Sequence, residues 1–174
     1  MKKFVVVAAM FVMVLSLAGG ATAAQKRAAS QRSSSGFQQE YLYIGGGLGI
    51  NSLSGFDDAM GWQIFGGYEL PYMIGDAKTA IEVGYMNTGE FEMATPFFPI
   101  KTEAKGPWVT GVVSYPVNQQ FDLIGRLGLD LGDDDGLMLG GGAGFNINTE
   151  MQIRAEYVIR ENIDSLQANF VYQF

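Results

Sequence analysis

From Tyr41 onward the chain breaks into short runs in which every second residue is apolar, and in several of them the intervening residues are charged. In one run, Met151, Ile153, Ala155, Tyr157 and Ile159 alternate with Gln152, Arg154, Glu156, Val158 and Arg160. In another, Phe121, Leu123, Gly125, Leu127, Leu129 and Leu131 alternate with Asp122, Ile124, Arg126, Gly128 and Asp130. A period of two is the signature of a strand with two unlike faces. Eight such strands are expected, at about 41–50, 61–70, 79–88, 106–117, 120–131, 137–147, 150–160 and 165–174. The fold class is therefore all-β, an eight-stranded antiparallel up-and-down barrel.

Periodicity alone does not say which face is inside. A soluble barrel turns its apolar face inward, and a membrane barrel turns it toward lipid. Three features favour lipid. Strands of about 10 residues cross a bilayer at a tilt. Trp62, Tyr115, Phe121, Phe145, Tyr172 and Phe174 sit near strand ends on the apolar face, as interfacial girdles do. The sequence also stops on the terminal strand, whose Phe170, Tyr172 and Phe174 are expected to face the membrane.

The start of the chain agrees. Residues 1–24, "MKKFVVVAAMFVMVLSLAGGATAA", have a basic start, an apolar stretch and small residues before a cleavage point, as a secretory signal peptide does. The alternative, an uncleaved anchor, asks for a longer apolar run. Residues 25–40, rich in Ser, Gln and Ala, are expected to form a flexible periplasmic extension, and residues 41–174 the barrel. The expected location is the outer membrane of a Gram-negative bacterium.

Composition removes several functions. There is no cysteine and no histidine, which excludes thiolate sites and the usual base of a hydrolase triad, so no enzyme activity is expected. The net charge of −7 argues against nucleic acid as a partner. No cofactor and no metal are expected. Asp133, Asp134 and Asp135 lack the spaced ligands and distal glutamate of a strong calcium site, and they read as a hairpin tip before Gly136.

Two runs, "YIGGGLGI" and "LMLGGGAGFNI", are glycine-rich without the Lys-Ser/Thr of a phosphate loop. By strand parity Gly45, Gly47, Gly49, Gly140, Gly142 and Gly144 face the lumen, where they make room for long neighbours such as Arg126 and Arg154. The same parity turns Glu82, Asp122, Arg126, Arg154, Glu156 and Arg160 inward as a candidate charge network.

The stretches "FGGYELPYMIGDAKTAIEVGYMNTGEF", "YPVNQQFDLIGRLGLDL" and "INTEMQIRAEYVI" resemble the transmembrane domain of the OmpA family. The resemblance spans residues 41–174 and does not extend to that family's peptidoglycan-binding domain. It implies that Glu82 and Arg154 match interior residues of a salt-bridge network that plugs or gates the barrel. It also places the family's lumen lysine at Val112 and a lumen glutamate at Gly144, so half of that gate is replaced; Arg126, Glu156 and Arg160 are candidates to rebuild it around Glu82. Expected partners are outer-membrane lipid, lipopolysaccharide, and the barrel-assembly machinery through the terminal strand, with a monomeric barrel. The functional readings are a structural or surface-interaction barrel with a plugged lumen, a narrow channel or transporter for ions or small apolar molecules, and an adhesin. The last would use Phe97 and Phe98 in the 89–105 loop to meet a host or cell-surface ligand, unless those rings only cap the rim.

Overall fold

A computed structural model describes residues 39–95 and 98–174. The proposed signal peptide, most of the proposed extension, and Phe97 lie outside the described residues. Ten strands follow a short 3-10 turn at Gln39–Tyr41: β1 (Leu42–Leu53), β2 (Ala59–Ile74), β3 (Ala77–Asn87), β4 (Phe91–Met93), β5 (Ile100–Thr102), β6 (Lys105–Pro116), β7 (Phe121–Asp130), β8 (Gly136–Asn146), β9 (Met151–Ile159) and β10 (Ile163–Gln173). Eight of them close a barrel in the order β1-β10-β9-β8-β7-β6-β3-β2, every pair antiparallel, while β4 and β5 form a separate two-stranded hairpin. Closure leaves no unpaired barrel edge.

The barrel has a turn end and a loop end. Tyr41, Phe174 and the connections after β2, β6 and β8 lie at the turn end. The connections after β1, β3, β7 and β9 lie at the loop end. The stretch expected to be the first turn, "PYMIGDAK", is mostly strand: β2 continues through Ile74, and only Gly75 and Asp76 turn the chain. Gly75 has φ +63°, the conformation a two-residue hairpin demands. Pro71, with no N–H to give the ladder, falls within a register shift between Glu69 and Met73. The 89–105 segment is not a plain loop either, since β4 and β5 pair within it.

Parity divides the barrel residues cleanly. Ile44, Leu48, Ile64, Val83, Leu127, Ile153, Leu166 and Phe170 are exposed on the outer wall. Glu82, Gln63, Thr110, Arg126, Arg154, Glu156 and Asn169 are buried within. Water would solvate the wrong face of such a barrel, so the outer wall is built for hydrocarbon. At its margins Trp62 meets Tyr85 near the loop end, and Phe121 meets Phe145 and Tyr172 meets Phe174 near the turn end.

The loop end is tied together. Phe91, fully buried, packs with Ala59, Ala104 and Ile163 beside Leu53 and Phe56. The Asp57 amide donates to the Glu92 carbonyl at 2.9 Å, which joins the first connection to β4. Asp134, expected on the surface, is buried: its carboxylate accepts from the Asn162 and Ile163 amides and from the Asn162 side chain, stitching the third connection to the fourth. The turn itself is at Asp133 and Asp134, and Gly136 already belongs to β8. Phe98 remains on the hairpin tip with 70 % of its surface exposed. Beneath it, Lys101 meets Glu90 and Glu92, and the hydrogen bonds its ammonium donates to Glu92, then to Glu90, hold it above the ordinary lysine range.

Candidate functional site: the barrel lumen

Strand pairing dictates what meets in the lumen. Glu82 on β3, Arg126 on β7, and Arg154 and Glu156 on β9 all point inward, and their side chains reach across the narrow interior of an eight-stranded barrel. Arg126 lies 3.1 Å from Glu82 and 2.8 Å from Glu156, and Arg154 lies 2.6 Å from the other Glu82 oxygen. Two arginines and two glutamates therefore form a neutral quartet. All four are over nine-tenths buried. Burial of this kind costs several kcal/mol per ion unless charge and hydrogen bonds compensate.

Further donors and rings supply that compensation. Tyr43 donates to Glu82 at 2.8 Å, and Arg154 Nε donates to Gln152 at 2.6 Å. Arg126 lies over the Trp108 ring at 5.5 Å and Arg154 over Tyr43 at 5.3 Å, each within cation–π range. Arg126 Nη2 donates to Glu156 at 3.0 Å; the Arg126 Nε–Glu156 contact and the Arg126–Glu82 contact are ion pairs held off the hydrogen-bonding line.

The six lumen residues named from the sequence fall into three groups. Glu82, Arg126, Arg154 and Glu156 make the quartet. Arg160 does not join it: it pairs with Asp130 at 2.9 Å near the loop end and donates to Ser165, whose hydroxyl reaches Asn51. Asp122 stays apart at the turn end, accepting from Asn146 at 3.0 Å and Gln152 at 2.7 Å. Sequence reasoning passed over Asp130, and it passed over Gln63, which donates to Gln167 and Asn169 at 2.8 Å each. Inward parity was the signal for both.

It also passed over a buried apolar cluster that includes Phe65, Met86, Trp108, Val112, Met138 and Val158. The lumen is thus part charged and part aromatic, and its glycines make room for both parts and for close backbone approach. A Cβ on Gly140 would press on the Arg126 side chain at 2.8 Å, as expected. A Cβ on Gly45 would strike the Phe65 ring at 2.3 Å, on Gly67 the Tyr43 ring at 2.1 Å, and on Gly84 the Trp108 indole at 2.4 Å. None of the three makes room for an arginine.

On the turn side of the quartet lies an open cavity of about 610 Å³, with Tyr43, Val112 and Arg154 among its lining and Asp122, Gln152 and Glu150 toward the mouth. On the loop side a void of only about 10 Å³ lies beside Gln63 and Gln167.

Residues 37–173 match the model of the OmpA-like transmembrane domain. The chain belongs to that family. Among solved structures, the Yersinia pestis outer membrane protein Ail, determined in a phospholipid bilayer nanodisc, is similar at TM-score 0.53 and 19 % identity, covering 76 % of this chain and 98 % of Ail. A de novo designed transmembrane β-barrel is similar at TM-score 0.53 and 17 % identity, covering 79 % and 98 % of the two chains. A second design, TMB2.3, matches at TM-score 0.53 and 16 % identity over 78 % and 94 %. At these identities the likeness is one of fold. A search of curated proteins finds no match. This OmpA-like domain is a transmembrane, outer-membrane β-barrel.

Proposed function

We propose that this OmpA-like barrel is a charge-plugged, non-enzymatic outer-membrane protein with a structural or surface-interaction role. The observation that carries the reading is the Glu82–Arg126–Glu156–Arg154 quartet, which crosses the lumen between the turn-end cavity and a loop-side interior filled by Trp108, Phe65 and Met138. Planar-bilayer recording tests it. The unmutated protein gives at most rare, small openings, and frequent large openings that Arg126→Ala leaves unchanged would sink the plug. That outcome would promote the second reading, a narrow channel or transporter, which draws on the turn-end cavity.

In this reading the turn end faces the periplasm, the barrel is monomeric, and its partners are membrane lipid, lipopolysaccharide and the assembly machinery that receives β10. Any host or cell-surface ligand meets the β4–β5 hairpin through Phe98, with Asp133 and Asp135 exposed nearby. Single cysteines report the orientation. Those at Phe98 and Asp135 label on intact cells with a membrane-impermeant maleimide, whereas those at Leu123, Ile153 and Phe170 stay unlabelled in lipid. Labelling at Asp135 only after permeabilisation would reverse the barrel. Asp134 is unsuitable, because its carboxylate holds two connections together.

A further inference from the structure

The turn-end cavity has a chemical preference of its own. Its volume of about 610 Å³ lies within the range of small-molecule sites. Both cationic side chains of its lining are already engaged, Lys78 by Glu69 at 3.3 Å and Arg154 by Glu82. Asp122 is different. Its carboxylate is held by two neutral amides, Asn146 and Gln152, and no cation lies within ion-pair distance among the described residues.

That arrangement depends on one glycine. Gly144 stands directly across from Asp122, and a Cβ there would meet the Gln152 amide nitrogen at 2.6 Å. The bare backbone lets Gln152 reach Asp122, so carboxylate and amides are built as a unit. Elsewhere in the lining, Ala80 and Val112 are cross-strand partners that, with Val171, give the cavity an apolar surface. A multivalent metal finds no seat, since no three acidic side chains converge among the described residues. The complement of a carboxylate held only by amides, with Glu150 also toward the mouth and apolar wall beside it, is an organic cation with a short hydrocarbon stem.

We propose that the turn-end cavity binds a small aliphatic ammonium ion, with its charge on Asp122 and its stem against Ala80, Val112 and Val171. The site goes beyond the plug and does not depend on whether the barrel conducts.

Calorimetric titration of n-butylamine, a monocation at neutral pH, into the folded protein in zwitterionic nanodiscs tests this. One saturable site is expected. Asp122→Asn weakens it about tenfold or more, the scale of one lost charge-assisted contact, while Asp135→Asn at the loop end leaves it unchanged. Ser114 also lines the cavity, so Ser114→Lys supplies an ammonium in cis and abolishes binding even if Asp122→Asn folds poorly. Absence of a saturable site overturns the proposal. So does wild-type affinity in Ser114→Lys, or weakening of butylamine binding by magnesium chloride beyond that caused by sodium chloride at matched ionic strength.

Discussion

Arg126→Ala destabilises the barrel by about 3–5 kcal/mol, the usual cost of removing one partner from a buried ion pair. Arg126 is the hub of the quartet: it alone joins Glu82 to Glu156. Without it Glu82 keeps Arg154 and Tyr43, but Glu156 keeps, as a direct contact among the described residues, the Asn169 amide at 3.3 Å. A carboxylate left so poorly matched in the interior keeps most of its desolvation penalty. Reversible urea unfolding in lipid vesicles, followed by tryptophan emission, reads the loss, and bilayer recording of the same variant shows increased leak. Pairing Arg126→Met with Glu156→Gln restores much of the stability, because it removes the stranded charge along with its partner. A single variant as stable as the wild type would mean that the quartet contributes nothing to the fold.

The second large effect separates the two faces of one strand. Leu127 is exposed in the middle of β7, with Gly111 and Leu139 beside it, so Leu127→Arg costs about 2–4 kcal/mol by placing a cation near the bilayer midplane. Its neighbour Gly128 fails for a different reason. A Cβ there would come within 2.0 Å of the Val109 carbonyl oxygen and 2.6 Å of the Thr110 Cα, so Gly128→Ala must move backbone and costs about 1–3 kcal/mol or more through overpacking. At outward Gly111 the nearest atom to a new Cβ is 3.8 Å away, and Gly111→Ala is tolerated. Equal tolerance at all three positions would contradict both the lipid-facing wall and the filled lumen.

These contrasts explain which parts of the molecule the sequence could reveal. The eight barrel strands were legible because a charged residue every second position, as in Arg154 and Glu156, leaves one workable face for lipid. Glu82 and Arg126 were legible as inward groups for the same reason. Their grouping was not: Arg160 lies near the loop end, beyond the quartet's reach, and strand parity carries no depth. The β4–β5 hairpin escaped because three-residue strands are too short to show a period. Pro71 read as a strand end because proline withdraws an N–H, yet the register shift between Glu69 and Met73 accommodates it. Asp134 read as solvated because loop carboxylates usually are, whereas the Asn162 and Ile163 amides make it a buried clasp.

The pairing of β1 with β10 carries a kinetic consequence. Tyr43 meets Gln173 and Leu53 meets Ile163, so the seam joins residues more than a hundred positions apart. Every other barrel strand can find its neighbour through a hairpin or the single 88–104 connection. The seam has no such local route and bears the largest loop-closure entropy in the molecule. Until it forms, both of its strands present open edges within a nearly complete sheet. Ring closure is then the step on which the barrel's assembly turns, and Gly45, Gly47 and Gly49, which lie on that seam, bear on the rate of folding as well as on the space inside.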